Sequence, residues 1–137
     1  MRLLRWIPVL AAAAAMSISA VPSAASAATE LDFHATLHHS AAYSTATGYS
    51  EYERVGTARE LEVTVRHLHR LVGKRVSVFV NGHKVGTMLV NRYGNAHREW
   101  DTRHGQYVPW AGAGTPIRIR NAYGTLIASA RYYRSYP

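Results

Sequence analysis

Imidazoles are the side chains best suited to chemistry in this sequence: His34, His38, His39, His67, His69, His83, His97 and His104. Zinc or copper needs imidazoles that converge within a few ångströms. On an extended strand His34 and His38 share a face but stand roughly 13 Å apart, too far to chelate one ion. His38 and His39 point to opposite faces. His67 and His69 share a face at about 7 Å, close enough for two side chains to close on an ion. They are the pair the sequence offers for a divalent metal, with His34 or His38 able to join from a neighbouring strand. The plainer alternative is a set of solvated histidines that add surface charge on acidification. No cysteine is present and no acid adjoins the pair.

Other chemistries find less support. No serine sits in a recognisable nucleophile elbow, and no glycine-rich loop runs into a lysine and serine. Glu51 with Glu53, and Glu60 with Glu62, read as solvent-facing strand residues that pair across the sheet with Arg66, Lys74, Arg118 or Arg120. The sequence therefore predicts no catalytic residue, no enzyme and no cofactor. Aromatic rings beside arginines are the stronger signal, since they can stack on sugars while the charges meet anions. Tyr107, Trp110, Arg118, Arg120, Arg131 and Tyr133 are the predicted ligand-binding residues. Against that, Trp110 could plug one end of a barrel and Tyr132 could pack in the core.

Residues 1–27 read as a secretory signal peptide. Arg2 and Arg5 precede an alanine-rich apolar run, and Ala25-Ser26-Ala27 is a small-x-small cleavage site. Residues 28–137 then form a single secreted domain without disulfides. Taking Arg2 and Arg5 from the sixteen basic residues leaves fourteen against eight acids. That balance favours anionic partners, an anionic cell-envelope polymer or glycan, although it also serves solubility alone. A protein partner is the other possibility; nucleic acid is not expected at a secreted location, and no transmembrane segment remains in the mature chain.

The elements that must position these residues are strands. Leu61, Val63 and Val65 alternate with charged neighbours, as do Val76, Val78 and Val80. Asn81-Gly82 predicts a tight hairpin turn returning through Lys84 to Val90. Leu31 to Leu37 predicts a first strand. A second runs near Tyr49–Val55, where only one of Tyr49 and Tyr52 can face the core. Leu68, Leu71 and Val72 are expected under the sheet. Ala96–Thr102 reads as an edge strand. Ile117 and Ile119 mark a seventh, and Leu126–Tyr132 an eighth, with Leu126, Ala128 and Ala130 opposite Ile127, Ser129 and Arg131. Gly94 and Gly124 suggest related turns. The predicted fold is all-β: a small antiparallel Greek-key sandwich or partly open barrel of about seven or eight strands.

Phe33-His34-Ala35-Thr36-Leu37, Thr47-Gly48-Tyr49-Ser50 and Leu61-Glu62-Val63-Thr64-Val65 together resemble the opening of chordin-like extracellular domains, over roughly the first third of the chain. In that family a histidine pair follows the third strand, where His67 and His69 stand here. The resemblance implies an extracellular β-domain and carries no catalytic residue. The remainder is similar to small secreted β-domains of bacteria. The leading functional expectation is a non-catalytic secreted module that docks on an anionic envelope component or a partner protein. The alternatives are a copper or zinc binder using His67 and His69, and a small secreted inhibitor or antimicrobial effector.

Overall fold

The computed structural model describes residues 28–136; residues 1–27, read above as a signal peptide, lie outside them. Among the described residues nine strands form: β1 Glu30–His39, β2 Thr47–Val55, β3 Ala58–Arg66, β4 Arg75–Val80, β5 His83–Leu89, β6 Ala96–Asp101, β7 Pro116–Arg120, β8 Leu126–Arg131 and β9 Tyr133–Ser135. They pair in the order β5-β4-β7-β8-β1-β2-β3-β6, and β9 adds to β1. All pairings are antiparallel. The result is the expected all-β, partly open barrel of Greek-key type. Among the described residues no helix is long and apolar enough to cross a membrane.

The two-residue period decides which side chains go inside. Phe33, Ala35 and Leu37 of β1, Leu61, Val63 and Val65 of β3, and Val76, Val78 and Val80 of β4 are all buried. On β2 the inward residues are Ser50 and Tyr52, and Tyr49 faces out. Full burial of a large apolar side chain stabilises by about 1.5–3 kcal/mol, so this register is strongly held. Three buried rings, Phe33, Tyr52 and Tyr132, pack in series, the first pair edge to face and the second tilted, with centroids 6.2 Å and 5.8 Å apart. The two tyrosine hydroxyls are satisfied: Tyr132 Oη lies 2.6 Å from Ser50 Oγ, which donates to Glu62 O, and Tyr52 Oη donates to Pro109 O. Tyr132 is thus a core residue, as one reading of the sequence held.

The barrel is closed by side chains between its two end strands, β5 and β6. Trp100 of β6 packs over Gly86 of β5, where a Cβ would stand 2.9 Å from the indole Nε1. Arg98 stacks on Trp100 and donates to the Thr87 carbonyl of β5 at 2.9 Å. β6 is an edge strand as expected, but Trp100 is only 2 % exposed.

Several local expectations change. Leu68 and Leu71 are buried, but Val72 is 42 % exposed because the short 3-10 turn His69–Leu71 ends before it and directs it outward. Ile127 and Ala128 are both buried, because a register shift between Ile119 and Arg120 breaks the simple alternation along the β7–β8 pair. Two turns are built alike. Asn91 Oδ1 accepts from the amides of Tyr93 and Asn95, and Asn121 Oδ1 accepts from those of Tyr123 and Thr125. Each turn reaches positive φ at its glycine, Gly94 and Gly124.

Gly86→Val places a branched side chain against Trp100 and opens the β5–β6 seam. Urea unfolding is expected to show a loss of about 1–3 kcal/mol. An unchanged midpoint would mean that the seam does not hold the barrel closed.

Candidate metal centre and charged faces

The same alternation that fills the core sends every acid to one surface. Glu30 and Asp32 on β1, Glu51 and Glu53 on β2, Glu60 and Glu62 on β3, and Glu99 and Asp101 on β6 all occupy outward positions of β1-β2-β3-β6. These are all eight Asp and Glu residues of the chain. The strand register then sets acid against acid. Glu51 is opposite Glu62, which is opposite Glu99. In the neighbouring row Asp32, Glu53, Glu60 and Asp101 are aligned. Strand register does not set the glutamates opposite the expected basic partners: Arg66 is opposite Thr47, Lys74 precedes β4, and Arg118 and Arg120 lie on β7 in the other half of the barrel. Sequence alternation identifies the face of each glutamate but not its cross-strand partner.

Some of this negative charge is compensated locally. Arg103 donates to both Asp101 oxygens at 3.0 Å and to Glu60 Oε2 at 3.1 Å. Burial pushes the Asp101 carboxyl up, but the hydrogen bonds from Arg103 outweigh it and leave the carboxyl below its ordinary value. His34 Nδ1 lies 3.7 Å from Glu51 Oε1. Glu53 has the opposite balance. Its burial, followed by the charges of Glu30, Asp32 and Glu60, raises its carboxyl above the ordinary 4.5.

Two groups of side chains on this face converge tightly enough to hold a metal ion. Donor atoms of Glu62, His97 and Glu99 all lie within 4.8 Å of one another, as do those of Glu30, Asp32 and Glu53. The first group is the better defined. His97 and Glu99 are two apart on β6 and share a face, and register brings Glu62 alongside. Thr64, directly opposite His97, lies 2.8 Å from its Nδ1. That contact orients the ring through one nitrogen, the kind of support that a metal-binding histidine commonly receives when its other nitrogen holds the ion. One imidazole with two carboxylates suits a divalent transition ion and leaves coordination positions open to solvent. The second group offers only oxygen, which suits harder ions such as calcium.

The exclusion of enzymatic chemistry is therefore corrected. A three-ligand cluster with coordination positions left over is a candidate centre for metal chemistry, and a search for imidazoles paired within one strand had no means of finding it. The sequence signal was present as His97-x-Glu99 on a strand, but Glu62 joins only through pairing between β3 and β6.

The predicted site residues are spread over the surface. His67 and His69 have ring centroids 6.1 Å apart beside the turn at Gly94, and His67 adopts a positive φ of 63°. They belong to neither three-ligand group. Arg118, Arg120 and Arg131 share the outward face of β7 and β8, and Arg118 is aligned with Phe79 and Ser129. Arg75 and Lys84 extend the same face on β4 and β5. Tyr133 lies apart, on β9 beside His34. Tyr107 and Trp110 share a cleft in the long loop between β6 and β7. Trp110 is 52 % exposed and does not plug the barrel; Val108 and Ala111 of the same loop are the buried residues.

No protein-family model matches the chain, and no curated protein matches it. Among solved structures, Candida albicans superoxide dismutase 5, in a mutant form, is similar at 12 % identity and a TM-score of 0.48. The match covers 79 % of this chain and 94 % of that one. The functional reading rests on this chain's own side chains.

Because the raised Glu53 binds its proton more tightly when folded, it costs stability once pH rises above 4.5 and costs nothing well below that value. Glu53→Gln is therefore expected to raise the melting temperature at pH 7, with the gain vanishing on acidification below that value. A gain of the same size at both pH values would contradict the carboxylate crowding.

Proposed function

We propose that this chain is a secreted β-barrel domain that binds a divalent transition ion on its acidic face through Glu62, His97 and Glu99. The supporting observation is the convergence of the three donors within 4.8 Å, with Thr64 Oγ1 2.8 Å from Nδ1 of the imidazole. Crowded carboxylates add a driving force, because like charges directly opposite one another destabilise a sheet until a cation enters. Secretion follows from the leader-like pattern of residues 1–27. Zinc and copper are the ions to test first, since imidazole suits both.

A second reading is favoured by the absence of any acid on the opposite face. Arg75, Lys84, Arg118, Arg120 and Arg131 there offer a surface for an anionic envelope polymer.

Calorimetric titration of the mature domain with zinc and with copper tests the first reading. Saturable binding is expected, with His97→Ala weakening it at least tenfold and His67→Ala/His69→Ala leaving it unchanged. Binding also stabilises the folded state, so the ion is expected to raise the melting temperature of the native domain more than that of His97→Ala. Equal affinity in the native domain and His97→Ala would rule this centre out, and loss in the double variant would move the site to His67 and His69.

A further inference from the structure

A cleft of about 320 Å3 opens where two hairpins meet the long β6–β7 loop. Its walls include Arg59 from the start of β3, Asn81 and His83 from the β4–β5 hairpin, and Tyr107, Pro109 and Trp110 from the loop. This volume falls in the range of small-ligand sites. No carboxylate lines it.

The loop is held in place from inside the barrel. The buried Tyr52 hydroxyl donates to the Pro109 carbonyl at 2.7 Å and accepts the Ala111 amide at 3.1 Å. Both neighbours of Trp110 are therefore pinned by one phenol, while the indole between them stays half exposed. Two guanidiniums lie against the indole: Arg54 at 5.2 Å and Arg59 at 4.7 Å from the ring centroid. Arg54 also stacks on the buried Phe33 ring. Tyr107, 55 % exposed, stands on the same loop. Arg59 Nε is buried and has no hydrogen-bond partner, so this guanidinium is imperfectly satisfied where it stands. A rigid aromatic surface beside an under-satisfied guanidinium, with an amide and an imidazole opposite, is equipped for a ligand with one flat apolar face, several hydroxyls and one carboxylate.

We propose that this cleft binds a carboxylated sugar, a hexuronate unit of an acidic polysaccharide. The pyranose C–H face stacks on Tyr107 and Trp110, the carboxylate meets Arg59, and Asn81 and His83 receive ring hydroxyls. A guanidinium suits this role because its planar fork matches a carboxylate. The site is independent of the acidic face, so it stands or falls apart from the metal reading.

The test is a tryptophan-fluorescence titration of the mature domain in the presence of a chelator. The probes are an oligogalacturonate, its methyl ester and oligothymidylate. Saturable binding of the oligogalacturonate is expected, with at least tenfold weaker binding of the uncharged ester. Tyr107→Ala, an exposed change that spares the core, and Arg59→Gln are each expected to weaken binding at least tenfold, while His97→Ala leaves it intact. Calorimetry supplies the same comparison without relying on the indole signal. Equal binding of acid and ester would overturn the role of Arg59. Equal binding of oligothymidylate would make the cleft a general anion site and overturn the sugar assignment. Full binding by Tyr107→Ala, or no binding of the oligogalacturonate at all, would overturn the proposal as a whole.

Discussion

The register of β1-β2-β3-β6 is the constraint on which the rest depends. Core burial fixes it, since a slip of one residue would turn Leu61, Val63 and Val65 out and the glutamates in. Once fixed, it sets Glu51, Glu62 and Glu99 in one line and Asp32, Glu53, Glu60 and Asp101 in the next. Like charges placed opposite each other cost on the order of 0.2–1 kcal/mol per pair. Burial of even one large apolar side chain outweighs that. The sheet therefore cannot relax its acidic face by sliding. It compensates that face by recruiting a cation, as Arg103 does at Asp101 and Glu60, or by holding a proton more tightly, as Glu53 does.

This arrangement makes the domain electrically two-sided. A strongly basic chain has gathered all its acids on one half of the barrel and left the outward face of β4, β5, β7 and β8 to arginine, lysine and neutral residues. Net charge alone would suggest a partner that is simply anionic. The separation suggests different partners for different faces: cations where the carboxylates converge, and anions where Arg118, Arg120 and Arg131 stand. Inside the barrel, the Tyr52 phenol couples the core to the loop that displays Trp110. The packing of one buried ring thus sets the position of an exposed one.

The strands were legible because alternation is a local property. The Asn81-Gly82 turn has positive φ at both residues, and the apolar stripes of β1, β3 and β4 all face inward. What stayed hidden depends on pairing between distant segments. Glu62 and Glu99 are far apart in sequence, and only the β3–β6 pairing joins them. Trp100 looked like part of a polar edge, because the glycine that receives it, Gly86, lies on another strand. β9 was missed because Tyr132 turns into the core and separates the short segment Tyr133–Ser135 from β8. The histidine pair His67 and His69 drew attention by its spacing. The imidazole with a bonded Nδ1 and two neighbouring carboxylates, His97, had no such local mark.

The most direct measurement is nuclear magnetic resonance of the mature domain during titration with a trace of paramagnetic copper. Early signal loss is expected to centre on Glu62, Thr64, His97 and Glu99, and to spread along β3 and β6 before it reaches other elements. Early loss centred on His67 and His69, or diffuse loss across all eight histidines, would contradict a metal centre on the acidic face.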